Sequence, residues 1–264
     1  MLAEIHNKIS QSGSNLSDRL EDKLTGDFFG ALRYLPFELG MKNLLEQVEF
    51  SENEPKDFWR AILNRYTGFP AVWNFWPRDI EGEIDLLLSF EDLMVGIEVK
   101  YLSGISSEDE MDTGAVDHTV SVHQLARYAR MLERVSEGRP VYLIFLAPFA
   151  MMKEVRESME NRSIIAPGVK FGFLNWEDIH ESLTRMDLDP LNQGQQLIIE
   201  DLRNLLLKKG LKRFRGLLYT KADIIVSKDH YTFHIERNVS TQKDWSWPAE
   251  HVEKEKNYVY KIKS

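Results

Sequence analysis

The sequence predicts an α/β fold in which a central mixed sheet is flanked by helices, and three observations carry that expectation. A helix-period apolar pattern opens the chain. Apolar strands punctuated by single acidic residues follow it, and a second helix then leads into a continuous apolar strand of the kind buried on both faces. In order, these read helix, three strands, helix, strand.

Each element has its own signal. Asp18 followed by Glu21 has the spacing of a helix start, and Leu20, Leu24, Phe28, Leu32 and Leu35 recur at helical intervals up to Pro36. A second helix is expected from Pro55 to Tyr66, broken by Gly68 and Pro70. Ala71–Trp76, Glu83–Phe90 and Leu93–Tyr101 read as consecutive strands, the last two joined by a tight turn at Glu91 and Asp92. Leu102–Thr119, rich in Ser, Gly and acids, reads as a loop. A helix from Ser121 to Val135 with Gly138 past its end precedes the strand Val141–Leu146. Further helices are expected at Ala150–Asn161, Trp176–Thr184 and Leu191–Lys209, then strand-like Leu217–Val226 and Tyr231–Ile235. The expected organisation is a core over 1–190, including the N-terminal helices, and a C-terminal extension over 191–264 that packs on it and carries substrate recognition.

Composition narrows the function classes. A chain of 264 residues with 43% apolar and 28% charged content and a mean hydropathy of -0.37 has the make-up of a folded globular protein. The absence of cysteine excludes disulfides, thiolate metal sites and cysteine nucleophiles, so any metal must sit on oxygen or histidine. Histidines in metal-binding spacing are missing, and single cases such as His118 and His123 read as surface or loop residues. The N-terminus lacks a basic start followed by an apolar run, and the longest apolar run, Val141 to Met152, is broken by Pro148 and falls short of the ~20 residues of a membrane span. A cytoplasmic protein without membrane contact is the expectation. The net charge of -9 argues against a protein that coats nucleic acid through its average charge. A local basic run remains: Arg203, Lys208, Lys209, Lys212, Arg213 and Arg215, with no acid among them. Lys208, Lys209, Lys212 and Arg213 are the candidate nucleic-acid contacts; the alternative is a solvated helix end favoured by the dipole.

The chemistry concentrates in two strands. Asp85, within Gly82-Glu83-Ile84-Asp85-Leu86, interrupts an apolar stretch, where an unpaired charge survives only beside a partner such as a cation. In Ile97-Glu98-Val99-Lys100, period two puts Glu98 and Lys100 on one face. A hairpin would set Asp85 opposite them, giving two carboxylates and an ammonium in one small volume. Magnesium takes one or two carboxylates plus waters and substrate phosphate. The carboxylates in turn favour the charged form of Lys100, which suits an electrostatic clamp and water positioner better than a free base. Glu-x-Lys also occurs at Glu21-Asp22-Lys23 and Glu54-Pro55-Lys56, but only Glu98-Val99-Lys100 lies on an apolar strand.

With these residues in that order, the stretch from about Asp18 to Leu146 resembles the PD-(D/E)xK nuclease superfamily, whose restriction-endonuclease-like core runs helix, three strands, helix, strand. Ile84-Asp85 stands at the Asp motif, with Ile84 in place of the usual Pro, and Glu98-Val99-Lys100 stands at the (D/E)xK motif. Gln124-Leu125-Ala126-Arg127-Tyr128 is similar to the Gln-x-x-x-Tyr motif of the exonuclease-like branch; spacing of four puts Gln124 and Tyr128 on one helical face. The resemblance implies metal ligation by Asp85, Glu98, the main-chain carbonyl of Val99 and an acid of the first helix. Of Glu21, Asp22 and Asp27, Glu21 falls within the arc of Leu20, Leu24, Phe28 and Leu32, although its carboxylate also suits a helix cap. The implied activity is an Mg²⁺- or Mn²⁺-dependent deoxyribonuclease in which Gln124 and Tyr128 orient the site and the nucleic acid, with bacterial defence, repair or mobile-element biology as its setting. The competing expectation is an inactive nuclease-fold module that binds nucleic acid or a protein. Endonuclease or exonuclease action, DNA or RNA, and the oligomeric state, a homodimer included, are left open by the sequence.

Overall fold

A computed structural model describes residues 16–51, 56–109 and 117–213. Its elements are α1 (Leu16–Leu32), α2 (Met41–Leu45), β1 (Glu49–Phe50), α3 (Lys56–Leu63), β2 (Val72–Phe75), β3 (Arg78–Asp79), β4 (Gly82–Glu83), β5 (Leu86–Ser89), β6 (Met94–Val99), α4 (Gln124–Val135), β7 (Val141–Ala147), α5 (Phe149–Met159), β8 (Val169–Asn175), α6 (Trp176–Arg185) and α7 (Gln193–Lys208). A six-stranded mixed sheet in the order β1-β8-β7-β6-β5-β2 forms the centre. β6, β7 and β8 run parallel, while β2, β5 and β1 are antiparallel to their neighbours. This is the α/β architecture the sequence predicts.

Strand alternation builds two cores, one on each face. Leu86, Leu88, Val95, Ile97, Val99, Tyr142, Ile144 and Leu146 point to one side, where Leu24, Phe28 and Leu32 of α1, Trp176 and Ile179 of α6, and Ile199, Leu202 and Leu206 of α7 cover them. Leu87, Met94, Leu143, Phe145 and Phe173 point to the other side, under Leu125, Ala129 and Leu132 of α4 and Met152 and Val155 of α5. Burial of this kind is worth roughly 25 cal/mol per Å² of apolar surface and is what ties the helices to the sheet. α7 therefore belongs to the packed core, although the sequence division at 190 assigns it to the extension. The expected strands Leu217–Val226 and Tyr231–Ile235 lie outside the described residues.

The structure departs from the sequence expectation in the stretch before the cleft. Instead of passing directly from one strand into the next, the chain turns at Trp76, whose φ of 49° is unusual for a bulky residue, and forms the small β3–β4 hairpin. Only then does β5 begin, at Leu86 rather than Glu83. Asp85 thus sits in the bend between β4 and β5, its carbonyl accepting from the Trp76 N–H at 3.0 Å. Strand β8 was not foreseen. Lys170 and Gly172 interrupt its apolar content, yet Val169, Phe171 and Phe173 alternate after the Pro167-Gly168 turn and are buried. Gly172 is needed where β1 crosses close, since a Cβ there would lie 2.6 Å from a Val48 methyl. Among the described residues no helix is long and apolar enough to cross a membrane.

Candidate active site

The site lies at the end of the β5–β6 pair. The antiparallel register sets Leu86 opposite Ile97, so the next position places Asp85 opposite Glu98. The Val99 N–H donates to Asp85 Oδ2 at 2.8 Å and fixes that carboxylate beside the strand. Since Val95, Ile97 and Val99 fill one core, Glu98 and Lys100 share the opposite face, as period two requires. Helix α4 closes over them because Gly96 gives it room: a Cβ at 96 would be 2.6 Å from Leu132 Cδ1 and 2.8 Å from Ile84 Cδ1.

Around this pair the candidate side chains converge. Lys100 Nζ lies 2.7 Å from Glu98 Oε1 and 3.2 Å from Glu21 Oε1. Glu21, from α1, also accepts from the Tyr101 N–H at 2.8 Å and from the Ser103 hydroxyl at 2.5 Å. Gln124 Nε2 donates to Glu98 Oε1 at 2.8 Å and lies 3.1 Å from the Tyr128 oxygen, and its Oε1 accepts from the Ser106 N–H at 3.0 Å. Tyr128 donates to the Glu83 carbonyl at 2.7 Å. Glu21, Asp85, Glu98, Lys100, Gln124 and Tyr128 are all buried and line one cavity of about 440 Å³ with Asp22, Glu83 and Ser103–Ser106.

Electrostatics divide the acids. Burial pushes the Asp85 carboxyl well above its ordinary value, and the neighbouring Glu98 raises it further. Burial also raises Glu98, against the opposing pull of Lys100. For Lys100 burial acts to lower the pKa, but Glu98, Glu21 and Asp85 together outweigh it and lift the ammonium above its ordinary value. The charged form of Lys100 is favoured here. Tyr128 is raised by burial and then by Glu98, so its phenol keeps its proton. Glu98 Oε2 is among the buried side-chain atoms of the described residues with no hydrogen bond, and the Asp85 carboxyl lies within hydrogen-bond reach of Glu98, an arrangement that costs free energy unless a proton or a cation completes it.

The first-helix candidates separate clearly. Glu21 is buried and presents both oxygens to protein donors, Asp22 borders the cavity, and Asp27 is engaged by Lys23 at 2.7 Å. Val99 buries its side chain in the core and gives its N–H to Asp85. Among the described residues no group of three or more His, Cys, Asp or Glu side chains is arranged to hold an ion. Of the basic run, Lys208 and Lys212 are exposed and Arg213 pairs with Asp178 at 2.5 Å. Lys209 lies 5.0 Å from the centre of the Tyr101 ring, while its carbonyl accepts from the Tyr101 hydroxyl at 3.0 Å. Arg203 instead donates to the Leu183 and Met186 carbonyls at the end of α6, and Arg215 lies outside the described residues.

His123 is not a surface residue. It is fully buried and caps α4, its Nδ1 accepting from the Leu125 N–H at 3.1 Å. Sequence reasoning also passed over Tyr101, Ser103 and Ser106, whose donors hold Glu21 and Gln124; their one signal was a Ser- and Gly-containing segment directly after Lys100. Compared with known protein families, with curated proteins and with solved structures, the chain matches none.

Proposed function

We propose that this chain is a divalent-metal-dependent nuclease with a restriction-endonuclease-like core of the PD-(D/E)xK type, hydrolysing phosphodiester bonds in DNA with Mg²⁺ or Mn²⁺. The observation that carries the reading is the convergence of Asp85 and Glu98 in one cavity, both raised by burial, with no hydrogen bond to Glu98 Oε2. Two buried carboxylates of this kind suit Mg²⁺, which needs few protein ligands and keeps water and phosphate in its shell. The order α1, β2, β5, β6, α4, β7 supports the same core.

Asp85 and Glu98 would hold the ion. Bound there, it stabilises charge on the phosphate and favours ionisation of water. Glu21 acts one step back in this reading: its carboxylate is taken up by Lys100, Tyr101 and Ser103, so it sets the position of the ammonium. Lys100, held as a cation, faces the phosphate and orients the attacking water rather than removing its proton. Gln124 fixes Glu98 Oε1, so that Oε2 would be the oxygen left to hold the ion. Lys209, beside Tyr101, with Lys208 and Lys212 beyond it, offers the backbone of the nucleic acid a basic track.

That no group of three or more acidic, cysteine or histidine side chains among the described residues is arranged to hold an ion favours the second reading, an inactive nuclease-fold module that binds nucleic acid or a protein. Incubation with linear, circular and single-stranded DNA and with RNA in Mg²⁺ or Mn²⁺, alongside Lys100→Ala, separates the two. The nuclease reading expects metal-dependent cleavage of DNA that falls at least roughly a hundredfold in the variant. Equal cleavage by both proteins, or none by either, contradicts it.

A further inference from the structure

The β3–β4 hairpin beside the cleft carries an isoleucine at its tip. Ile80 is 91% exposed, the highest fraction among the large exposed apolar side chains described. Isolated exposed apolar residues are ordinary, but tight turns select Gly, Asn, Asp or Ser, and a β-branched residue gains nothing there from local structure. The residues around it are anchored. Arg130 binds Glu81 through both carboxylate oxygens at 3.0 and 2.8 Å, and spends its remaining nitrogen on the His118 and Ser121 carbonyls. Arg134 pairs with Asp79, which also accepts from the Glu81 N–H at 3.0 Å. Arg78 pairs with Glu83 across the ladder at 2.8 Å. An apolar point is thus mounted on a base in which each acid is matched by an arginine, on a protein whose net charge is -9.

The hairpin is continuous with the cleft. Glu83 lines the cavity and its carbonyl is the acceptor for Tyr128. Gly82, at φ 140°, lets the ribbon lie against α4: a Cβ there would be 3.1 Å from the Tyr128 ring and 3.2 Å from an Arg127 guanidinium nitrogen. Arg127 makes the longer of two ion pairs to Glu81, 4.0 Å against 2.8 Å for Arg130, so of the two guanidiniums it is the one that a phosphate at the cleft's edge would draw away.

We infer that Ile80 is a wedge that enters the base stack of duplex DNA next to the cleft, so that the substrate is double-stranded and is opened or kinked where it meets Asp85 and Glu98. The inference rests on the nuclease reading for the nature of the ligand. Apolar side chains on a stiff mount are what proteins insert between base steps, and they need flanking cations to hold the backbone during unstacking.

The test uses the full chain and a linear duplex carrying 2-aminopurine and an end label, with Ca²⁺ in place of Mg²⁺ to follow binding without cleavage. Wild type is expected to raise 2-aminopurine emission several-fold on binding, as an unstacked base does, with Ile80→Leu retaining the rise and Ile80→Ala losing it while still binding. In Mg²⁺ or Mn²⁺, Ile80→Ala is expected to cut duplex roughly tenfold more slowly and the single strand of the same sequence at the wild-type rate. Ile80 is exposed, so folding is not at stake. Binding of duplex without an emission rise, failure to bind duplex, an equal rise in Ile80→Ala, or an equal loss on duplex and single strand overturns the wedge. An emission rise confined to the Ile and Leu proteins, in a chain that cuts nothing, supports the wedge and removes the nuclease reading alone.

Discussion

In the cleft, Asp85 and Glu98 are buried and held above their ordinary pKa range by that burial; on the adjoining β3–β4 hairpin, Asp79 and Glu81 are partly exposed and held below it by hydrogen bonds from Arg134 and Arg130 respectively. The residue types are nearly the same, and the number of cations per acid differs. Each hairpin acid has an arginine of its own, whereas Lys100 is shared by Glu98 and Glu21 and only lies near Asp85. The hairpin is electrostatically complete as it stands. The cleft is short of positive charge in a place that water cannot screen, which is the condition under which a site gains most from binding a cation.

The largest expected effect follows from removing one cleft acid. Asp85→Asn should lower metal-dependent cleavage by on the order of a thousandfold and, at the same time, raise the Tm of the metal-free protein. The amide oxygen can still accept from the Val99 N–H, while the buried charge disappears. A lower Tm in calorimetry would mean that the pair is already compensated. Next in size is Glu21→Gln, which weakens the hold on Lys100 without touching Asp85 or Glu98; a loss of roughly ten- to a hundredfold in kcat is expected, with metal affinity preserved in titration calorimetry. Loss of metal affinity would instead make Glu21 a ligand.

Smaller still is the effect of pH on stability, where the two regions should move in opposite directions. Because Asp85 and Glu98 are raised in the fold, the stability they contribute is fully present below the ordinary carboxylate range and is lost as pH rises through their folded values. Lys100, raised as well, keeps its contribution up to its own ordinary value and loses it only beyond. Asp79 and Glu81, lowered in the fold, contribute above the ordinary carboxylate range and lose that contribution as pH falls through their folded values. Melting curves of the metal-free protein should therefore show a destabilising limb on raising pH that Asp85→Asn reduces, leaving the part that belongs to Glu98. Arg134→Ala should change stability least, by about 1 kcal/mol or less, because its pair with Asp79 is half in solvent.

What the sequence made legible was whatever a single period carries. α1 and α4 each bury one face and the β5–β6 pair sends alternate residues into a core on each side, so alternation or helical spacing located Glu98 and Lys100 on one side of a strand and Gln124 with Tyr128 on one side of a helix. Glu21 was distinguishable from Asp22 and Asp27 for the same reason. What spacing does not encode is a partner's identity: that Glu21 meets an ammonium, a backbone amide and a serine rather than open cavity depends on α1 crossing the end of β6. The β3–β4 hairpin was hidden because the chain bends into it at Trp76 and turns at Ile80 and Glu81, residues with no turn preference, and β8 because Lys170 and Gly172 dilute its pattern. The burial of His123, though it lies in the loop before α4, was hidden because a histidine beside a Ser- and Val-containing segment gives no sign that it will cap a helix from inside.

The central claim, that Asp85 and Glu98 form a divalent-cation site, is tested most directly by titrating Mg²⁺ or Mn²⁺ into the metal-free full chain by calorimetry in two buffers of different ionisation heat. Saturable binding that releases protons, tightens as pH rises, and disappears in both Asp85→Asn and Glu98→Gln is the predicted result. Binding unchanged in those variants, or no binding by the wild-type chain at any pH at which it is folded, would contradict it.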